Sequence, residues 1–201
     1  MRRFLALGDS YTIGEGVDAA ARWPVRVAAL LRERGADVGD PQIVARTGWT
    51  TDELAEGIAA AAPRAPFDLV SLLIGVNNQY RGRDAESYRG EFRALLGQAA
   101  ALAGGRGGGV VVVSIPDWGV TPFAEGRNRA QIASAINLLN AVAREEAAGA
   151  GALFGDITAI SREPHDGWLA DDGLHPSARQ YERWVEELTP LFAAALGSPK
   201  A

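Results

Sequence analysis

The chain has 201 residues, 47% of them hydrophobic, and a formal charge of −5 spread without a basic stripe. This length is that of one domain, 1–201, with apolar material for a sizeable core, and the charge pattern excludes nucleic acid as a partner. Cysteine is absent, which excludes disulfides, thiolate metal sites and cysteine nucleophiles and fits a reducing, cytoplasmic setting.

The first element is Phe4-Leu-Ala-Leu-Gly8, with Met1-Arg-Arg before it. Two arginines and an apolar run mimic the start of a signal peptide, but Asp9 interrupts the run too early, so it reads as a strand. No stretch approaches the length of a membrane span. The strand breaks into Asp9-Ser10-Tyr11 and a polar loop, Gly14-Glu-Gly-Val-Asp18. Trp23, Val27, Leu30 and Leu31 share a helical face that ends at Gly35. A second strand, Gln42–Arg46, closes at Thr47-Gly48-Trp49, and Thr50 with Glu53 has the spacing of a capping box for a helix through Leu54 and Ile58.

The third strand, Phe67–Ile74, is almost continuously apolar, as expected for a strand covered on both faces. Gly75-Val-Asn77-Asn78 ends it in a turn, an arginine-bearing loop follows, and Tyr88, Phe92, Leu95 and Leu102 mark the next helix. Gly104 to Gly109 precedes a strand, whereas a phosphate-binding loop follows one, so it reads as a connector. The fourth strand, Val110–Ile115, ends at Pro116-Asp117-Trp118. A helix through Ile132, Ile136 and Leu139 leads to a fifth strand, Ala152–Asp156. The last helix carries Tyr181, Trp184, Leu188 and Phe192, and the tail beyond Leu196 reads as frayed.

Strands alternating with helices predict an α/β fold: a parallel sheet between two helical layers. Such sheets bind ligands outside the carboxyl ends of their strands. Ser10, Gly48, Asn77 and Asp117 all fall there. A serine hydroxyl is a weak nucleophile until a base takes its proton and a third group orients the base. Asp172 and His175, three residues apart before the last helix, have the spacing for such a pair. The same residues also read as an ordinary helix start with a loop carboxylate. Gly48 and Asn77 have the chemistry of oxyanion donors, one through a backbone N–H approached without a Cβ, the other through an uncharged amide; each alone also reads as a turn residue.

Taken in order, Gly8-Asp9-Ser10, Gly48, Gly75-Val-Asn77 and Asp172-Gly-Leu-His175 resemble the four blocks of the SGNH, or GDSL-type, hydrolase family. The resemblance spans nearly the whole chain. It implies a flavodoxin-like three-layer sandwich with strand order 2-1-3-4-5. It also implies serine-dependent hydrolysis of a small-molecule ester without metal or cofactor. By analogy Ser10 is the nucleophile, His175 the general base and acid, and Asp172 its orienter, with Ser10, Gly48 and Asn77 forming the oxyanion hole. Two positions depart from the family pattern: Tyr11 stands for a leucine and Asn78 for an aspartate. No Gly-x-Ser-x-Gly elbow occurs, which separates the chain from the α/β-hydrolases.

Asp171 neighbours Asp172 but lacks the family spacing, and Asp9 reads as structural. Trp118, Phe123 and Trp168 are candidates for an acyl pocket. Arg81 and Arg83 could greet an anionic group or face solvent. Two other functions use the same rim: a flavodoxin-like binding module for a nucleotide or flavin, and a metal-dependent phosphoesterase built on His165, Asp166, Asp172 and His175.

Overall fold

The computed structural model describes residues 1–163 and 166–197. Five strands form one parallel sheet in the order β2-β1-β3-β4-β5: β1 (Phe4–Gly8), β2 (Gln42–Ala45), β3 (Leu69–Leu73), β4 (Val110–Val113) and β5 (Leu153–Gly155). Every residue of β1, β3 and β4 is buried, because helices cover both faces and leave no polar side to alternate with. The register pairs Leu7 with Val44 on one side and Leu72 on the other. This is the α/β architecture and strand order expected.

The helices are α1 (Ser10–Ile13), α2 (Trp23–Glu33), α3 (Thr51–Ala61), α4 (Val76–Tyr80), α5 (Ala85–Leu102), α6 (Arg129–Gly149), α7 (Thr158–Ser161) and α8 (Ala178–Leu196). α2 and α8 pack together on one face, and α3, α5 and α6 on the other. The α3 start is the capping box foreseen: the Thr50 side chain meets the Glu53 backbone while Glu53 Oε2 accepts from the Thr50 N–H at 2.9 Å. In α8, Phe192 packs edge-on against Phe4 of β1 at 5.5 Å and Trp23 of α2 at 5.9 Å. The last helix is thereby fastened to the first strand.

Two differences from the sequence reading matter for the site. The segment after β3 is a one-turn helix, α4, rather than an open turn, and β3 and β4 stop before Ile74 and Ser114. Gly75 opens α4 with φ +132°, and a Cβ there would lie 2.7 Å from the Tyr88 ring, so only glycine fits. After β4 come two 3₁₀ turns, Trp118–Val120 and Pro122–Ala124. The tail from Ser198 lies outside the described residues.

Candidate active site

The β1 strand is followed by Asp9, the N-cap of α1, whose Oδ1 accepts from the Tyr11 N–H at 3.1 Å. That turn puts Ser10 at the first helical position, on the carboxyl-end rim of the sheet, with 5% of its surface exposed.

Asp172 and His175 sit in a loop that is closed at its base. Ala170 N–H donates to the His175 carbonyl at 2.8 Å and Ser177 N–H to the Trp168 carbonyl at 2.9 Å. Within it, Asp172 Oδ1 accepts from the N–H groups of Leu174 and His175, both at 2.9 Å, and Oδ2 lies 2.6 Å from His175 Nδ1. Burial opposes ionisation of Asp172, but the imidazole and the two N–H groups together outweigh it and hold the carboxyl below its ordinary range. With Nδ1 engaged by the carboxylate, Nε2 is the nitrogen left to accept a proton. The His175 ring packs edge-on against Tyr11, centroids 5.6 Å apart, beside Ser10 in the chain. Tyr181 of α8 donates its hydroxyl to the Tyr11 carbonyl at 3.0 Å. The loop after Ser10 approaches from the other side: a Cβ on Gly16 would lie 2.7 Å from Ala170 Cβ and 4.0 Å from Asp172 Oδ2. The two ends of the sequence therefore meet at this rim.

The candidate donors Gly48 and Asn77 follow β2 and β3. Gly48 has φ +87°, in the left-handed region that favours glycine, and nothing lies within 4 Å of where a Cβ would stand. Asn77 of α4 donates one amide N–H to the Trp49 carbonyl at 2.9 Å. This ties it to the Gly48 turn and leaves its second N–H for another acceptor. The Thr47 hydroxyl donates to the Glu15 carboxylate, joining the β2 loop to the one after Ser10.

The profile of the GDSL-like lipase/acylhydrolase family matches residues 6–183. The chain belongs to that family. Solved structures of the same fold include TesA, at 18% identity and TM-score 0.75 over 96% of this chain and 99% of that one. Others are a lipase/acylhydrolase from Enterococcus faecalis (21%, TM-score 0.71, 94% of each chain), and the W215I form of Axe2, an acetyl xylan esterase from Geobacillus stearothermophilus (21%, TM-score 0.68, 96% and 94%). A search of curated proteins finds no match.

Several further residues of this GDSL-like chain acquire definite places. Asn78, the departure from the family aspartate, is fully buried. Its Oδ1 accepts from the Thr51 N–H at 3.1 Å and its Nδ2 donates to Thr51 Oγ1 at 2.6 Å and Glu91 Oε2 at 3.3 Å. An aspartate here would oppose Glu91, so the amide suits this neighbourhood. Arg81 pairs with Glu53 at 3.0 Å and donates to the Gly48 carbonyl at 2.7 Å. Arg83 pairs with Asp52 at 2.6 Å. Through these bonds both arginines brace the loops. Trp118 is buried and donates to Gln79 Oε1 at 2.7 Å, Phe123 is 43% exposed, and Trp168 is buried. Asp117 is held by Arg162 at 2.8 Å and the Gly119 N–H at 2.8 Å. His165, on which the phosphoesterase reading rested, lies outside the described residues. Among the described residues no three His, Asp or Glu side chains converge as a metal site needs.

Sequence reasoning missed the supports: the Trp49 carbonyl, the Thr47 to Glu15 bond, and the Tyr181 hydroxyl. A backbone acceptor leaves no trace in residue identity, and these bonds join loops far apart in the chain.

Proposed function

We propose that the chain is a serine carboxylic-ester hydrolase that works through an acyl-enzyme. The observation that carries this reading is the 2.6 Å contact of Asp172 with His175 Nδ1 in a ring packed beside the Ser10 turn.

On this reading Ser10 Oγ attacks the ester carbonyl while His175 Nε2 takes its proton. Asp172 holds the ring in the tautomer with the proton on Nδ1 and stabilises the imidazolium. The tetrahedral oxyanion accepts from the N–H groups of Ser10 and Gly48 and from the second amide N–H of Asn77. The imidazolium then protonates the leaving alcohol as its bond to carbon breaks. Water attacks the acyl-serine, its proton going to His175, and the acid departs with Ser10 restored. None of these steps calls on a metal or cofactor. The substrate is a small-molecule ester, and Axe2, an acetyl xylan esterase of the same fold, makes acetylated carbohydrates one class to assay.

The test is labelling with a fluorophosphonate, mapped by mass spectrometry, alongside turnover of short p-nitrophenyl esters. Ser10 should carry the label, and Ser10→Ala should lose roughly three or more orders of magnitude in turnover. Labelling elsewhere, or undiminished hydrolysis by the variant, would overturn the reading.

A further inference from the structure

Beside the candidate site, between α4, the start of α5 and α6, lies an open cleft of about 610 Å³, large enough for a small molecule. Trp118 is a shared wall: the same side chain lines a small crevice with Tyr11, Leu174 and Pro176, the chain neighbours of Ser10 and His175. The segment that carries Trp118 also touches the turn holding Asp172, through the Phe123 N–H donating to the Gly173 carbonyl at 3.3 Å.

Arg127 stands in this cleft. Its guanidinium lies over Tyr80 at 5.0 Å, Trp118 at 5.4 Å and Phe123 at 5.7 Å, and one N–H reaches the Tyr80 hydroxyl at 3.0 Å. Rings on several sides hold the planar group in place by cation–π contact, although the side chain remains exposed to solvent. No carboxylate lies within 4.0 Å of it among the described residues, although Asp84 lines the same cleft. Asp84 instead accepts from the Ser87 N–H and hydroxyl at 2.9 and 2.7 Å. The other lining arginine, Arg83, is already paired with Asp52 and Glu91. Nearby Arg129 donates to the Gly119 carbonyl. Arg127 is thus an exposed cation held by rings at the cleft wall without an acidic partner among the described residues, and a carboxylate matches its two-pronged edge.

Building on the ester-hydrolase reading, we propose that Arg127 selects esters bearing a carboxylate, on either the acyl or the alcohol part, and binds that group in this cleft. The test compares kcat/KM on two matched pairs. For the acyl part these are p-nitrophenyl hydrogen succinate and p-nitrophenyl butyrate; for the alcohol part, 4-acetoxybenzoate and its methyl ester. In Arg127→Gln the ratio of anionic to neutral ester should fall about tenfold or more in one pair, through KM, because a charge-assisted contact is lost. The pair that responds tells which part carries the charge. Arg127→Lys should fall between parent and Gln, and Arg127→Met, which keeps the stem among the rings, replaces Gln if that variant does not fold. Ratios unchanged within twofold in both pairs would overturn the proposal. Hydrolysis surviving Ser10→Ala would instead count against the serine mechanism, so the two failures are told apart.

Discussion

Asp9 is the residue whose surroundings most exceed its sequence signal. Beside a candidate nucleophile it reads as a turn former, and its Oδ1 does cap α1. Its Oδ2, however, is buried without a hydrogen-bond partner among the described residues, and burial pushes its carboxyl from 3.8 up to about 7. The folded protein therefore holds this proton more tightly than the unfolded chain does. Stability from this group is full below the ordinary carboxylate value and is lost as pH rises through about 7. The slope is at most about 1.4 kcal/mol per pH unit. Asp9→Asn, which keeps the acceptor for the Tyr11 N–H without the ionisation, should gain on the parent between pH 5 and pH 8 in urea unfolding. Parallel stability curves would show that Asp9 does not titrate in this range. Nothing in the sequence announces the effect, because it comes from the depth of the β1 turn beneath the last loop.

At the scale of elements, regular helices were legible and short ones were not. The capping box at Thr50 and Glu53 located the α3 start because both partners lie within one turn. α8 was legible through Trp184, Leu188 and Phe192 even though Pro190 stands inside it, since one proline removes a single N–H while the apolar face runs on. α4 has only five residues, too few to show a period, so Asn77 was expected on a turn. The rim residues were legible as motifs, but not what steadies them. Gly57 illustrates this: a Cβ there would lie 2.2 Å from the Trp49 ring, and Trp49 supplies the carbonyl that anchors Asn77. Alanine ordinarily favours a helix over glycine by about 0.5–1 kcal/mol. Gly90→Ala on α5, where a methyl meets nothing within 4 Å, should show that gain as a higher melting temperature. Gly57→Ala should lower both the melting temperature and ester turnover. Equal gains from the two substitutions would mean that Trp49 yields without resistance.

For the whole molecule, the sequence's alternation predicted the layers, and its family likeness predicted the strand order. What joins the chain's two ends is tertiary. α8 begins just beyond His175, with Ser177 as its cap, and is held by Phe192 against Phe4 and Trp23. Phe192→Ala should cost about 3–5 kcal/mol in unfolding free energy. A loss under 1 kcal/mol would show that the core refills the space and that the helix is docked by other contacts.

The loop contacts around the site form a closed circuit. Glu15 meets Thr47, Trp49 meets Asn77, Gln79 meets Trp118, Phe123 meets Gly173, and His175 returns to Tyr11. Such a hoop shares any local push among all its members, so its tolerance for bulky visitors is set by the joint that parts most readily. The Phe123 to Gly173 bond is one backbone contact at 3.3 Å, the longest hydrogen bond in the hoop. That joint lies between the wall that carries Arg127's rings and the turn that carries the imidazole, and by its length it is the one expected to part first.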